Sequence, residues 1–501
     1  MRNRQGHLGA KRMVVAVYAL AAVHLACALY VGAAILEGMP HTQDEVAYLF
    51  QAKVFALGHL YLPSLPEPAR RFFDHEFIVN NGKWYSKYTP GGSMLHVPLV
   101  FLGLHWFTNP LLGTATVIVL CRLAALIAGR RAGLAAAAIH ALNPFSVLLS
   151  ASHFSHTPAL LFTLIALLGP LRGARTGRRA DWALGGVGLG LLLITRPYNA
   201  LVLCPVVGGI LLAYGLRQRR CTGCWPLAEW GSFGAVALIF LGLTLLYNLA
   251  LTGKGLLFPQ QAYCPYDRPG FGLRAVETPY PRPFGPEEAK KNVLANWRSF
   301  RQVGLPWPGL WLLALAPACL LSRQRSRVLL CSLLLPWQAA AYGLYFHAGI
   351  WYGPRYWYEA YWAIPVLVGS GAAGLLSCLE RLRPSKARRL AVVALAAFWL
   401  TMALADDLRY FPIYRGLNRM YRLPPLPLQG PALVFVPAAQ AWQDYGRYFW
   451  QLNPALARNR VIFAREQALH NVWRGLPPLP DELLLAHFPG RAAYRLVEGP
   501  L

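Results

Sequence analysis

The chain has 501 residues, of which 56% are hydrophobic and only 14% are charged. Soluble globular proteins carry about 25% charged residues, so this composition excludes an ordinary soluble fold and indicates a protein that lies in a lipid bilayer. The formal net charge is +27. The arginines nevertheless occur in short clusters that each separate two apolar stretches, as the cytoplasmic loops of membrane proteins do. Membrane topology therefore explains the basic charge, and we expect no nucleic-acid partner.

Long apolar segments dominate the first 405 residues. A spanning helix needs roughly 20 apolar residues, and eleven segments are predicted to cross the membrane, near 13–36, 110–128, 132–150, 157–171, 182–196, 198–216, 230–251, 306–321, 328–346, 359–378 and 388–405. A twelfth segment, 93–107, is apolar but short. A crossing there would reverse the side of every later arginine cluster, so we interpret it as a re-entrant or interfacial helix. The predicted fold class is an all-α polytopic protein of the plasma (inner) membrane.

Three polar parts lie outside these segments, and the positive-inside rule predicts that all three are extracytoplasmic, with the N-terminus in the cytoplasm. We call residues 37–109 the first polar segment, residues 252–305 the second polar segment, and residues 406–501 the tail. The tail is predicted to be a small α/β domain that follows a transmembrane domain of residues 1–405. Its predicted strands are 432–436, 461–464 and 491–497, with a helix over 441–452.

The distribution of polar residues argues against a transport pathway, which would require ionisable groups in the middle of the membrane. The spans contain few polar side chains, mainly His24, Arg122, His140 and Gln338. Polar and aromatic residues gather instead at the predicted outer ends of spans, in 152–156, 195–199 and 352–356. We therefore expect a functional site that faces outward.

A helix is predicted to begin just after the first span. Thr42 and Glu45 have the spacing of a capping box, and the helix is expected to run to Gly58. Its apolar residues recur at helical spacing, so that we expect one face to lie on the membrane. That face comprises Val46, Leu49, Phe50, Val54 and Leu57.

Asp44 lies in the first turn of this helix. The helix dipole there keeps a carboxylate ionised and able to accept a proton. Acidic residues in a first turn also occur simply because they stabilise the helix. The residues alone leave both interpretations open.

The end of the first polar segment contains a lysine among aromatic residues. Lys87 is a point charge that can bind a phosphate. The alternative, which the residues alone favour, is that Lys87 anchors to lipid headgroups beside an aromatic belt of Trp84, Tyr85 and Tyr88. Earlier in the segment, His75 stands between two acidic residues, a weak metal-binding pattern because adjacent ligands rarely share one ion.

Five motifs occur in a fixed order along residues 10–405. They are Asp44-Glu45 after the first span, KYTPG (87–91), TRPYNA (195–200), YNLALTG (247–253) and GPRYWYEA (353–360). In this order the motifs resemble those of the C-type (GT-C) membrane glycosyltransferases. Within that group the chain resembles bacterial relatives of protein O-mannosyltransferase and of lipid A aminoarabinose transferase.

The resemblance implies a hexosyl- or pentosyltransferase that uses a polyprenyl-phosphate-linked sugar and acts at the extracytoplasmic face. The acceptor would carry a hydroxyl group, on a glycan, a lipid or a protein. The resemblance assigns the catalytic carboxylate to Asp44. Beside it, Glu45 is expected to be the helix-capping or supporting partner. The resemblance assigns binding of the donor phosphate to Lys87, with Arg355 near that phosphate.

Three more residues from the outer ends of the spans, Arg196, Tyr356 and His156, complete the predicted substrate-binding set. Cations near the leaving phosphate would stabilise its developing charge. The sequence identifies no cofactor and no metal-ligand set, and leaves a divalent metal open as a further source of positive charge. Two other functions stay open: a transporter or flippase of a polyprenyl-linked lipid, and an envelope scaffold that acts through the tail.

Overall fold

The computed structural model describes residues 2–276, 280–303, 316–322, 324–379, 405, 410–416, 418, 422–423, 426–428, 430–437, 442–466, 477 and 479–496. Six helices in this part of the chain are long and apolar enough to cross a membrane. They cover Met13–Ile35, His105–Ala128, His156–Thr176, Pro197–Thr222, Leu227–Thr252 and Arg355–Cys378. A bent pair of shorter helices forms a further candidate. The protein is a multi-pass membrane protein.

The helices of the first 252 residues form most of the apolar core. In chain order they are α1 (Arg2–Tyr30), α2 (Gln43–Ala56), α3 (Pro90–Val100), α4 (Thr108–Ala128), α5 (Arg130–Ala141), α6 (Pro144–Ala151), α7 (His156–Thr176), α8 (Arg179–Thr195), α9 (Pro197–Thr222) and α10 (Leu227–Thr252). The later helices are α11 (Pro259–Tyr263), α12 (Pro286–Val303), α13 (Arg325–Ser332), α14 (Leu334–Gly343), α15 (Tyr358–Tyr361), α16 (Ala363–Leu379), α17 (Trp442–Phe449) and α18 (Glu482–Leu485).

Two predicted spans differ from the structure. The segment 132–150 is two helices, α5 and α6, bent by 61°. The bend follows from the sequence, because Asn143 caps α6 by accepting the Phe145 N–H at 3.0 Å and Pro144 begins the new helix. The segment 328–346 contains the two short helices α13 and α14. Most of the predicted span 306–321 and nearly all of 388–405 lie outside the described residues, so the total of eleven stays a prediction.

The interpretation of 93–107 agrees with the geometry of α3. This helix has 11 residues, which at ~1.5 Å per residue is about half the thickness of the hydrocarbon core. A short 3₁₀ turn, His105–Phe107, then leads directly into α4. Segment 93–107 is too short in helical form to add a crossing.

The three polar parts contain short sheets. In the first polar segment, β1 (Leu62–Pro63), β3 (Lys83–Ser86) and β2 (Ile78–Asn80) form an antiparallel sheet in that order. The second polar segment has a hairpin of β4 (Gly272–Arg274) and β5 (Arg282–Phe284). In the tail, β6 (Ala432–Val436) pairs in parallel with β7 (Val461–Arg465) and β8 (Ala492–Arg495). All three tail strands occur where they were predicted, and α17 connects β6 to β7.

The tail and the first polar segment share one apolar core. The ring centroids of Phe72 and Phe435 lie 5.9 Å apart, and those of Phe50 and Phe449 lie 5.6 Å apart. The Lys53 ammonium of α2 donates to the Leu452 carbonyl at 3.2 Å. The face of α2 that was expected to lie on the membrane is therefore packed inside the protein. That expectation was wrong because the tail provides the apolar cover that a bilayer would otherwise supply.

Candidate functional site

The beginning of α2 is built as predicted and carries two acidic side chains with different surroundings. The Thr42 hydroxyl accepts the Glu45 N–H at 3.3 Å. Glu45 reaches back to the His41 N–H at 2.8 Å, one residue earlier than in a standard capping box. Its second oxygen accepts the His153 N–H at 2.8 Å. Glu45 is fully buried, which raises the pKa of its carboxyl. Glu45 therefore joins the start of α2 to the end of α6.

Asp44 faces the other way, into a cavity. Its Oδ1 accepts the Tyr88 hydroxyl at 2.5 Å, and its Oδ2 lies 3.3 Å from Arg355 Nη2. Burial acts to raise the pKa of Asp44, but the Arg355 charge, the Tyr88 hydrogen bond and the Lys87 charge outweigh it and hold the pKa below its ordinary value. Asp44 is thus a buried carboxylate that stays ionised.

Arg355 is placed by a tight turn between α14 and α15. Gly349 has φ +69°, and a Cβ atom there would lie 2.3 Å from the Tyr356 ring, so only glycine fits. Tyr352 also has a positive φ, 57°, and its hydroxyl is 3.1 Å from His41 Nδ1. The turn thereby connects to the residue before the α2 cap, which brings Arg355 to Asp44.

Two of the three guanidinium nitrogens of Arg355 have no hydrogen-bond partner among the described residues. The side chain is buried and stacks on Phe154, with Cζ 4.4 Å from the ring centroid. Nε and Nη1 are buried and have no hydrogen-bond partner within the described part of the chain. Buried donors are nearly always satisfied, and two donors on one cation have the chemistry to bind an anionic ligand.

Unlike Arg355, Lys87 has a carboxylate partner outside α2. Its ammonium is 3.1 Å from Asp267 Oδ2 in the second polar segment and 3.5 Å from the centroid of Phe77. The other Asp267 oxygen accepts the Tyr345 hydroxyl at 2.5 Å. Lys87 is 2% exposed. A buried lysine cannot anchor to lipid headgroups, and Trp84 and Tyr85 are buried as well, so the aromatic-belt interpretation is wrong.

The KYTPG motif also has a structural explanation. The Thr89 hydroxyl donates to the Thr195 carbonyl at 3.1 Å. A Cβ atom at Gly91 would lie 2.4 Å from Thr195 Oγ1 and 2.8 Å from the Ile194 carbonyl oxygen. Only glycine lets the first turn of α3 approach the end of α8 this closely. The motif thereby packs the segment that follows Lys87 and Tyr88 against the end of α8, directly before Arg196.

Of the other predicted substrate-binding residues, two line the cavity and one lies behind its wall. Arg196 and Tyr356 line the cavity. Arg196 donates to the Ser155 hydroxyl at 3.2 Å, and its Nε lies 3.3 Å from Glu359 Oε1. His156 does not line the cavity, because it is buried behind these residues with Nδ1 2.9 Å from the same Glu359 oxygen. His156 therefore contacts residues that surround the cavity, among them Tyr356 with ring centroids 5.9 Å apart, and not the cavity itself.

The cavity has a volume of about 650 Å³, within the range of roughly 300–1,000 Å³ usual for small-molecule sites. Two of the three outer ends of spans, 195–199 and 352–356, and both polar segments contribute to it. Its charged and histidine lining residues are His41, Asp44, Lys87, Arg196, Asp267, His347 and Arg355.

The residues around His75 contact the tail. Among the residues that the structure describes, there is no group of three or more His, Cys, Asp or Glu side chains that could hold a metal. His75 Nδ1 is 2.8 Å from the Glu76 carbonyl, and its ring stacks on Phe449 of the tail. Arg465 of β7 donates to the Asp74 carbonyl at 3.2 Å. This segment therefore holds the tail.

Comparisons with known proteins agree with this architecture. A family model described as dolichyl-phosphate-mannose-protein mannosyltransferase matches residues 106–244. The structure of ArnT from Cupriavidus metallidurans bound to undecaprenyl phosphate is similar, with a TM-score of 0.53 and 14% identity, over 95% of this chain and 89% of that chain. The chain resembles the C-type membrane glycosyltransferases and shares their fold. The apo structure of the same ArnT gives a TM-score of 0.51 at 14% identity, over 94% of each chain.

A more distant likeness is to the apo oligosaccharyltransferase of Archaeoglobus fulgidus, with a TM-score of 0.39 and 13% identity. It covers 86% of this chain but only 63% of that one, so the protein spans less than two thirds of that relative. No curated protein matches the chain.

Sequence reasoning for this glycosyltransferase-like chain missed Asp267, His347 and Glu359 as parts of the site. Glu359 had a signal, since an acidic residue within an apolar span is usually functional or paired. Asp267 had none, because its partner Lys87 is 180 residues away. His347 follows α14 in a turn whose position depends on tertiary contacts.

Proposed function

We propose that the protein transfers a sugar from a polyprenyl-phosphate-linked donor to a hydroxyl acceptor at the extracytoplasmic face of the plasma (inner) membrane. The observation that carries this proposal is the pair of Asp44 and Arg355. One cavity contains an ionised carboxylate 3.3 Å from a buried guanidinium, two nitrogens of which have no hydrogen-bond partner among the residues described above. A proton acceptor beside an anion site is what sugar transfer from a phosphate ester requires.

Asp44 and Arg355 would each act on one part of the transfer reaction. The acceptor oxygen forms a bond to the anomeric carbon while the bond from that carbon to the phosphate oxygen breaks. The electron pair of the broken bond stays on the phosphate, and the acceptor hydroxyl proton goes to Asp44. The products are the glycosylated acceptor and polyprenyl phosphate. Because the leaving group is already an anion, a nearby cation stabilises the transition state more than a general acid does.

Arg355 is the principal phosphate contact in this proposal, and Lys87 is secondary. Lys87 already has the Asp267 carboxylate as a counter-ion, so its charge is largely compensated before a ligand binds. Arg196 likewise lies against Glu359. Arg355 also faces a carboxylate, but it keeps two donors for a ligand. The ArnT relative was solved with undecaprenyl phosphate, which supports a lipid phosphate as the donor class.

The cavity also provides an apolar surface that fits a prenyl chain. Leu193, Leu201 and Phe258 belong to its lining, and Leu201 is 65% exposed on the surface of α9. A donor whose phosphate lies at Arg355 can extend its chain along this surface toward lipid.

A transporter or flippase has weaker support. His24 and His140 in the spans do not line the cavity and stack on each other, with ring centroids 6.1 Å apart. His24 Nδ1 is 2.9 Å from the Ala141 carbonyl, and Gln338 donates to the Tyr356 carbonyl at 3.0 Å. These polar side chains connect helices to one another.

The test is incubation of the purified full-length protein with a panel of polyprenyl-phosphate sugars and hydroxyl acceptors. We expect at least one donor to release polyprenyl phosphate in proportion to glycosylated acceptor. A flippase would instead move the lipid across proteoliposomes without cleaving it. Lipid movement without cleavage by any donor of the panel would contradict the proposal.

The pairing of Lys87 with Asp267 gives a stability prediction. Lys87→Met leaves a buried carboxylate without a cation, and Asp267→Asn leaves a buried ammonium without an anion. Each is expected to cost about 3–5 kcal/mol of unfolding free energy. The double variant buries neither charge and is expected to recover much of that loss. Denaturant unfolding of the wild type, the two single variants and the double variant measures these losses. If the loss in the double variant equalled the sum of the two single losses, the two side chains would not be coupled.

A further inference from the structure

His347 lies in the turn after α14 and lines the cavity. Its Nδ1 accepts the Gly349 N–H at 3.0 Å. A ring nitrogen that accepts a hydrogen bond carries no proton, so the neutral ring must carry its proton on Nε2. The turn that positions Arg355 therefore also determines the tautomer of His347.

The Nε2–H group has no hydrogen-bond partner in the described ranges of the chain. The nearest aromatic neighbour, Tyr356, has its ring centroid 6.4 Å from that of His347. His347 is thus a donor in the cavity that is available to a ligand. Arg355 offers two charged donors in the same cavity.

The surroundings keep this ring uncharged. Burial is the main cause that lowers the pKa of His347, to about 4, and the positive charge of Arg355 acts in the same direction. The charged groups that face the ring are Arg355, Asp44, Lys87 and Asp267, two cations and two carboxylates. Protonation at Nδ1 would also break the bond with Gly349. At neutral pH His347 is a neutral donor.

We propose that His347 orients the transferred sugar by donating from Nε2 to one of its hydroxyl or ring oxygens beside Asp44 and Arg355. The guanidinium nitrogens of Arg355 can donate to the charged phosphate, whereas the neutral Nε2–H of His347 can donate to a neutral sugar oxygen. Because the sugar is covalently joined to the phosphate, a phosphate at Arg355 brings the sugar near His347. This inference rests on the proposed function, and it deepens that function by naming a residue that discriminates between sugars.

Two substitutions separate this role from support of the turn. His347→Gln places an amide near the position of Nε2, so it keeps a donor in the cavity but loses the acceptor for Gly349. His347→Asn places its amide near the position of Nδ1, so it keeps that acceptor but loses the donor. Substrate orientation predicts that His347→Asn raises the donor KM roughly 3- to 10-fold, the usual worth of a neutral hydrogen bond. His347→Gln is expected to stay within about 2-fold of the wild type.

The measurement is steady-state kinetics of the full-length wild type and both variants, with the active polyprenyl-phosphate sugar and its monodeoxy analogues. With the analogue that lacks the contacted oxygen, wild type and His347→Asn should have the same KM. Between pH 6 and 8 the KM ratio of the two should be constant, since the ring does not titrate there. The reverse order, with His347→Gln impaired and His347→Asn normal, would overturn the inference and leave the proposed function intact. A wild type that releases no polyprenyl phosphate would overturn both.

Discussion

Asp44→Asn is expected to lower turnover by ~10² to 10⁴-fold without weakening binding of the donor. Asparagine has the same size as aspartate and can still accept the Tyr88 hydrogen bond, but it cannot take a proton from the acceptor. The variant also removes a negative charge beside Arg355, so affinity for the donor phosphate is expected to stay or to rise. Single-turnover release of polyprenyl phosphate, measured together with donor binding, separates these effects.

Glu45→Gln is the matched control, because Glu45 is the adjacent residue on the same helix. One of its carboxylate oxygens accepts the His41 N–H and the other the His153 N–H, and glutamine can satisfy only one of them. We expect a loss of roughly 1–3 kcal/mol in unfolding free energy with a much smaller change in turnover. If Glu45→Gln abolished turnover while Asp44→Asn did not, the two roles would be reversed.

The pH dependence provides a second check on Asp44. Its pKa lies below the ordinary value because Arg355, Tyr88 and Lys87 together outweigh burial. A lowered pKa means that the base is ionised throughout the neutral range and loses its charge only in strong acid. The turnover of the wild type should therefore show no acid limb from Asp44 between about pH 5 and 8. A limb near pH 6 that disappears in Asp44→Asn would contradict this assignment of charge.

Arg355→Gln is expected to weaken donor binding about ten- to hundred-fold, since a charge-assisted hydrogen bond contributes roughly 1.5–3 kcal/mol. Turnover should fall as well, because the same cation stabilises the charge that develops on the leaving phosphate. Arg355→Lys keeps the charge but not the planar set of donors, so it should recover only part of the affinity. Binding of undecaprenyl phosphate, which contains no sugar, isolates the phosphate contact.

Arg196→Gln is the matched control for Arg355, since both arginines line the same cavity. Arg196 already donates to Ser155 and lies against Glu359, so its loss should reduce stability more than affinity for undecaprenyl phosphate. Equal effects of the two substitutions on that affinity would show that the phosphate does not prefer the unpartnered donors of Arg355.

The sequence by itself determined those parts of this protein that depend on neighbouring residues. Apolar length predicted the long helices, and Thr42 with Glu45 predicted where α2 begins, because a cap involves residues three positions apart. Short apolar runs predicted the first two strands of the tail. The bend at Asn143-Pro144 was predictable too, since an N-cap followed by proline begins a new helix. Asp44 and Arg355 were identified as site residues through motifs in a known order.

Only the tertiary structure decided which charges meet. Lys87 pairs with Asp267, and Glu45 accepts from His153, over 180 and 108 residues of chain. Spacing cannot reveal such pairs, because the energy of a buried charge depends on partners that folding brings from elsewhere. The same holds for the apolar face of α2, which either a bilayer or the tail can cover. Arg355 became the best candidate for the phosphate because two of its nitrogens have no hydrogen-bond partner in the part of the chain that the structure describes.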